Sequence, residues 1–374
     1  MSDLMSIFGT PTMANAQYEK GKIKLEFSKN QIKKAGESIR KEGVTSENVK
    51  LIQNYRAAHL YPLMIIKNLV WKHIQKIAPN AIIARRLKRL PTIIDKLTRE
   101  TLDGINKNTM CVTRMQDIGG CRVIVDNKEQ LLQLNSSLEK SRTLHITKLS
   151  RDYNINPKKT GYRGIHRIYQ CYGKNKHHDW KGFTIELQLR TKLQHLWATT
   201  VEVVDLCERK TLKTNPYDAD PRWIAFFREM SDFLADEDGF ISLSNEQKTQ
   251  KKQSLVVLNE SLNAQKKLES FNLIFSDRQI VNDKKKHQYA IIGICLSDKK
   301  TLVQFFEKIK KHDAIRLYSE IEKNDQWNGL FVEMGDIWQL QYAYPNYLID
   351  THQFVKKFKY YTESSYWTQP SKFR

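Results

Sequence analysis

Between Gly182 and Thr191 the chain alternates without a break. Phe183, Ile185, Leu187 and Leu189 share one parity, and Thr184, Glu186, Gln188 and Arg190 share the other. Side chains of a strand point to opposite faces in turn. The pattern therefore predicts a strand with one apolar face and one face bearing an acid, an amide and a guanidinium. Such a polar row is either a solvated outer face or the floor of a site. Cys121–Asp126 is a short β-branched run and reads as a buried strand. Residues 145–153 and 165–173 predict two more strands, with a hairpin across 165–189. Helical spacing of Ile32, Ala35 and Ile39 opens the first of two helices in 28–78. The second starts after Thr45 or Ser46 as N-cap, and Pro62 would kink or split it. Residues 81–100 read as a basic, helix-rich segment interrupted by Pro91, and 127–141 as a helix. A turn-rich loop spans 156–164. In the helix expected over 191–210, Thr191 and Gln194 have capping-box spacing.

Strands interleaved with helices predict an α+β fold, a mixed β-sheet flanked by helices. The polar stretch 236–247 marks a boundary. The expected organisation is a flexible leader over 1–27, a main domain over 28–240 and a helical linker over 241–283. A small α/β module follows over 284–374, reading strand, helix, strand, helix. One long polar helix is expected over 245–274, and residues 283–288 read as a hinge.

The 374 residues, 40% of them hydrophobic, suffice for two or three domains. No run of about 18 apolar residues occurs, and the first residues lack signal-peptide character, so a cytoplasmic protein without membrane contact is expected. Five scattered cysteines without a CxxC pair fit a reduced compartment. The net charge is +21, of which +15 lies in residues 1–240. That excess suits polyanionic partners such as nucleotides, RNA or acidic lipid, and equally a solvated Lys-rich surface.

Four polar clusters carry candidate chemistry. Arg86, Lys88 and Lys96, with the hydroxyl of Thr92, offer phosphate donors; a solvated basic helix would look the same. Asp117 precedes Gly119 and Gly120, which permit close approach to the backbone; it is a hard oxygen ligand suited to Mg²⁺, or simply a turn residue. Lys158, Lys159, Tyr162 and His166 combine cations with a ring able to stack on a base, or are packing residues. The fourth cluster is the row Glu186, Gln188, Arg190.

Taken in order, these clusters read R-x-K-x-x-x-T-I-x-x-K (Arg86–Lys96), D-x-x-G-x-R (Asp117–Arg122), P-K-x-x-G-Y-R-x-x-H (Pro157–His166) and E-x-Q-x-R-T-x-x-x-H (Glu186–His195). This succession resembles the synthetase domain of the RelA/SpoT family over roughly residues 45–240. The resemblance implies a nucleotidyltransferase-like fold. It implies a Mg²⁺-dependent pyrophosphokinase moving the β,γ-diphosphate of ATP to the ribose 3′-hydroxyl of GDP or GTP, the chemistry of the stringent response. It implies that Arg86 and Arg122 sandwich the adenine, and that Lys88, Thr92 and Lys96 hold the ATP phosphates. Asp117 and Glu186 would bind Mg²⁺, with Glu186 also placed to take the hydroxyl proton. Tyr162 would stack on the acceptor guanine, while Lys158, His166, Gln188 and Arg190 would contact acceptor or transferred phosphates. Thr92 and Gly164 both stand where the family usually has Ser. His178-Asp179 and His312-Asp313 lack the surrounding His and Asp pairs of a hydrolase site, so a synthesis-only chain is expected. One alternative is a toxin that pyrophosphorylates the tRNA 3′ end under restraint by the C-terminal module; another is a non-catalytic nucleotide or RNA sensor. Residues 284–374 are expected to restrain or sense, and a homo-oligomer is compatible with the sequence.

Overall fold

A computed structural model describes residues 22–99, 109–175, 178–207, 220–275, 289–295, 300–307, 310–323, 327–333 and 351–363. The described residues open with three helices where the sequence suggests two over 28–78: α1 (Lys29–Glu42), α2 (Ser46–Ala58) and α3 (Leu60–Ile77). Ser28 and Gln31 form a capping box at α1, and the Thr45 hydroxyl accepts from Asn48 N at 3.2 Å to start α2. The division falls at His59, and Pro62 occupies the first turn of α3, where its missing N–H leaves no helical bond unmade.

The segment expected to be helix-rich over 81–100 begins instead with a strand, β1 (Ile82–Leu87), and only then forms α4 (Leu90–Thr98). Pro91 opens that helix rather than interrupting it. Four further strands follow, β2 (Gly119–Val125), β3 (Ile146–Asp152), β4 (Ile165–Gln170) and β5 (Thr184–Thr191), with α5 (Lys128–Glu139) between β2 and β3. They form one mixed sheet in the order β1-β2-β5-β4-β3. β2 and β5 are parallel, the other pairs antiparallel, and β4–β5 is the expected hairpin.

One face of the sheet is sealed. Ile185, Leu187 and Leu189 of β5 pack into a core with Ile66, Val70 and Ile74 of α3 and Leu131 and Leu134 of α5. The other face meets α6 (Lys192–Cys207), which leaves β5 directly. Thr191 and Gln194 exchange side-chain to backbone hydrogen bonds of 3.2 Å each, the capping box read from the sequence.

A second core lies beyond α6, built with α7 (Pro221–Glu237), α8 (Asn245–Leu262) and α9 (Ala264–Phe275). The single helix expected over 245–274 breaks at Asn263, whose φ of 52° is left-handed. Further on, β6 (Tyr289–Cys295), β7 (Lys300–Phe306) and β8 (Trp327–Glu333) form an antiparallel sheet in the order β7-β6-β8, against α10 (Lys311–Lys323). The last helix among the described residues, α11 (His352–Thr362), inserts Phe354 and Phe358 into the second core beside Phe226. Lys357 and Tyr361 bond Glu237 of α7. Residues 245–275 and 352–362 are therefore packed against the main domain. Among the described residues no helix is long and apolar enough to cross a membrane.

Candidate active site

Strand register assembles the polar face. Arg86 pairs with Gly120, and Gly120 with Glu186; Arg122 pairs with Gln188, and Gln188 with His166. Directly opposed residues project to the same side of a sheet. Arg86, Arg122, Glu186, Gln188 and His166 thus share the face opposite Ile185 and Leu187. The row read from β5 is not a wet outer surface: Arg190 is 1% exposed, and Glu186 and Gln188 are partly buried. The adjacent glycines divide between the two faces. A Cβ on Gly119 would lie 2.5 Å from Ile185 Cδ1 in the core, whereas one on Gly120 would meet nothing closer than Arg86 O at 3.9 Å. Gly120 therefore leaves open space between Arg86 and Glu186.

On one flank, Lys88 Nζ lies 2.9 Å and Lys96 Nζ 3.1 Å from the Asp117 carboxylate. Thr92 precedes Lys96 by one turn of α4, on the same helix side. Burial tends to raise the Asp117 pKa, but the two lysines outweigh it and hold the carboxyl at about 2. Burial in turn lowers the Lys88 pKa despite the attraction of Asp117. Arg56 donates from Nε to Lys88 O at 2.6 Å, and from Nη2 to the Tyr318 hydroxyl of α10 at 3.1 Å. Arg86 is exposed at the rim, while Arg122 is mostly buried with Nη2 3.9 Å from Glu202 of α6. Burial, then the nearby Arg190 charge, bring the Arg122 pKa down to about 10.

On the other flank, five side chains close a ring of hydrogen bonds. Arg190 donates from Nε to the Tyr162 hydroxyl at 3.2 Å and from Nη2 to Gln188 Oε1 at 3.0 Å. Gln188 Nε2 donates to Glu186 Oε2 at 2.9 Å. The Tyr162 hydroxyl meets His166 Nε2 at 2.5 Å, and His166 Nδ1 meets Glu186 Oε1 at 2.9 Å. Burial lowers the His166 pKa against the pull of Glu186, so the imidazole is neutral at neutral pH. Only one proton arrangement then makes every bond of the ring: Tyr162 donates to Nε2, and Nδ1–H donates to Glu186. The ring starts at a guanidinium and ends on both oxygens of one carboxylate. Burial pushes the Glu186 pKa up and Asp117 adds to it, but the His166 and Gln188 hydrogen bonds prevail and the net shift is downward. Both carboxylates are thus ionised, neither lies beneath the apolar layer, and the charge of Asp117 acts on Glu186.

The loop before β4 is tied to the helices behind it. Arg163, 8% exposed, donates to Asp232 Oδ1 at 2.8 Å, to Ser231 Oγ at 3.3 Å and to Asn154 O at 3.2 Å. Lys251 of α8 bonds the same Asp232 and Glu229. Gln194 Nε2 reaches Asn154 Oδ1 at 2.7 Å. Gly161 and Gly164 have φ of +91° and +136°, which explains why position 164 carries no serine here.

Two expected contacts differ in this geometry. Tyr162 presents no open ring: it is 4% exposed, and the exposed Lys158 places Nζ 5.0 Å from its centroid. Arg122 is turned toward Glu202 and does not stand open beside Arg86. Arg56, Arg163, Gln194 and Glu202 escaped notice as site residues. Arg163 and Gln194 sit inside recognisable stretches, but Arg56 and Glu202 have no local pattern and meet the site only through packing. The His178-Asp179 dipeptide lies away from the site: the His178 ring stacks on Tyr172 with centroids 3.4 Å apart, and Asp179 pairs with Lys24 at 2.7 Å.

Chemically, the face offers two ionised carboxylates with cations on both sides, suited to a phosphate-rich ligand. Residues 85–204 match a family model described as "Region found in RelA / SpoT proteins". A 92-residue stretch is 29% identical to the probable GTP diphosphokinase RSH2, chloroplastic, of Oryza sativa subsp. japonica, covering 25% of this chain and 12% of the rice protein. Among solved structures, the small alarmone synthetase 1 of Bacillus subtilis bound to its product pppGpp is 19% identical, covers 51% of this chain and 93% of its own, and has a TM-score of 0.37. A GTP pyrophosphokinase family protein from Streptococcus pneumoniae is 20% identical over 56% and 98% of the two chains, with a TM-score of 0.39.

Proposed function

From a chain whose residues 85–204 match a model of the region found in RelA/SpoT proteins, we propose a pyrophosphokinase that transfers the β,γ-diphosphate of ATP to the ribose 3′-hydroxyl of GDP or GTP. The observation that carries this reading is the closed ring on Glu186 standing across one sheet face from the Lys88–Asp117–Lys96 cluster. The name of the rice relative, GTP diphosphokinase, belongs to the same reaction class.

On the donor side, Arg86, Lys88, Thr92 and Lys96 supply the hydrogen bonds and positive charge that a triphosphate needs, and Arg122 lines the floor. On the acceptor side, Arg190, Gln188, His166 and Lys158 face phosphate and sugar, with Tyr162 beside the base. Glu186 receives the proton of the attacking hydroxyl. Its lowered pKa makes it a weak base, so it contributes chiefly by fixing the hydroxyl in line; general-base help is typically worth about 10²–10⁴-fold. Transfer of this kind depends on positioning and charge neutralisation more than on covalent help.

Mg²⁺ fits the residues present. It prefers oxygen ligands and is commonly held by one or two carboxylates with substrate phosphates completing its shell, and Asp117 and Glu186 are both ionised and partly open. Bound there, it would neutralise phosphate charge and act as a Lewis acid.

The test is incubation with labelled ATP and GDP, GTP or tRNA. Label on the guanine nucleotide supports the proposal. Label on tRNA only would establish the toxin alternative, and nucleotide binding without transfer the sensor. Glu186→Gln is expected to abolish transfer while sparing nucleotide binding.

A further inference from the structure

Arg56 lies in the last turn of α2 and is 7% exposed. A helix C-terminus suits a cation, but a buried charge also needs partners. Among the described residues no carboxylate pairs with it; Nε donates to Lys88 O at 2.6 Å, and Nη2 to the Tyr318 hydroxyl at 3.1 Å. The carbonyl it holds belongs to the turn that builds the donor flank. Lys88 follows β1 directly, and its N–H donates to Ile118 O at 2.7 Å, next to Asp117. Its Nζ reaches the Asp117 carboxylate at 2.9 Å. Leu90 then opens α4, which carries Thr92 and Lys96. The N-cap of α4 is Arg89, which makes no side-chain cap bond, because its side chain has no acceptor atom. The turn is therefore braced from outside, by Arg56. Tyr318, the second partner of Arg56, packs in a different core, with Ile291, Ala314 and Ile321 between α10 and the antiparallel sheet.

We propose that Arg56 is a positioning residue for the donor side, and that Tyr318 holds Arg56 in place, so that the C-terminal α/β module supports ATP binding instead of restraining it. The inference rests on the donor side proposed above and adds to it a residue that acts through Lys88. The guanidinium is rigid and planar, so anchoring two of its nitrogens fixes its plane, and with it the Lys88 carbonyl. The sign of the effect follows from what is touched. Neither bond of Arg56 uses the ammonium of Lys88 or Lys96. The contact therefore orders the phosphate donors without occupying them. Loss of the Tyr318 hydroxyl leaves Arg56 with one anchor and a looser turn; loss of the Arg56 side chain leaves the turn unbraced.

The test is calorimetric titration of the full chain with ATP and, separately, with GDP, both in the presence of Mg²⁺. Arg56→Ala is expected to bind ATP about tenfold more weakly, equivalent to roughly 1.4 kcal/mol, and GDP as wild type does. Tyr318→Phe, which keeps the ring in its core and removes one hydrogen bond, is expected to weaken ATP severalfold and leave GDP unchanged. In the Arg56→Ala background Tyr318→Phe should add nothing, because both act along one path; a merely structural role would give additive losses on both ligands. Near-UV circular dichroism checks folding. If Arg56→Ala does not fold, Tyr318→Phe decides through its ATP and GDP affinities. ATP affinity unchanged in folded Arg56→Ala, or an equal loss for GDP, would overturn the positioning role. Tyr318→Phe binding ATP as tightly as wild type would overturn the support by the module, and tighter binding would establish restraint in its place. A wild-type chain that binds no ATP would instead remove the donor side itself, and the inference with it.

Discussion

Gly119 and Gly120 are neighbours in sequence and opposites in environment, so one methyl group placed on each in turn probes the two faces of the sheet. At Gly119 the added Cβ would lie 2.5 Å from Ile185 Cδ1, with His59 Cβ next at 3.7 Å. Ile185 is fully buried, so its methyl has no empty space to move into. Overpacking of this kind typically costs about 1–3 kcal/mol, and the end of a side chain yields more readily than backbone, which favours the lower half of that range. Removing a glycine returns about 0.4–1 kcal/mol by restricting the unfolded chain. Gly119→Ala is therefore expected to destabilise by about 1 kcal/mol. At Gly120 the nearest atom is Arg86 O at 3.9 Å, and no left-handed φ opposes alanine, so only the favourable contribution of about 0.4–1 kcal/mol remains. The same methyl, however, stands between Arg86 and Glu186 on the proposed site face, where a displacement of about 1 Å can cost about 10²-fold in rate. Urea denaturation measured by circular dichroism, beside label transfer from ATP to GDP, should thus rank the variants in opposite orders. Gly120→Ala keeps or gains stability and loses activity; Gly119→Ala loses stability and, where folded, keeps more activity. If Gly120→Ala were as active as wild type, the polar face would not be the site. If it were as unstable as Gly119→Ala, the β1–β2–β5 register would be wrong.

Three further predictions concern protons. His166→Ala removes a hydrogen bond that lowers the Glu186 pKa while burial, which raises it, persists; the acid limb of the rate–pH profile should move to higher pH, and an unmoved limb would refute the ring. Asp117 titrates at about 2 when folded against 3.8 unperturbed, so it adds stability above that unperturbed value which is lost as pH falls toward 2. The stability deficit of Asp117→Asn, up to about 2 kcal/mol, should therefore be largest near neutrality and shrink in acid, as read by denaturation between pH 6 and 3. Asp238 behaves in the opposite sense: burial and then Glu237, against the Thr191 hydrogen bond, raise it to about 6. Its ionisation opposes folding as pH rises from about 4 to 6, so Asp238→Asn should gain about 1–2 kcal/mol at pH 8 and nothing at pH 4.

Local chemistry that repeats within a few residues was legible in the chain. Period-two alternation located β5 and separated its polar from its apolar row, because strand geometry ties side-chain direction to parity. The Thr191–Gln194 cap and the β4–β5 hairpin were legible for the same reason: each bond or pairing joins segments close in sequence. β1 was not, since Ile82–Leu87 runs three apolar residues into two arginines without alternation, and its extended form depends on pairing with β2. The break at Asn263 likewise left no signal beyond one residue that tolerates a left-handed backbone.

The sequence by itself determined which chemical groups this protein carries, in what order, and which of them share a strand face. Only the tertiary structure decided their states. Asp117 is held at about 2 despite burial because α4 and the end of β1 bring two lysines to it; Glu186 is shifted downward because β4 delivers His166, and Tyr162 is covered because Tyr153, His166, Trp197 and Arg190 converge on it with Lys158. The closure of α11 onto α7, more than a hundred residues apart, belongs to the same class. Each depends on distances between segments remote in the chain, and a pKa or an exposed ring is a property of those distances rather than of the residue.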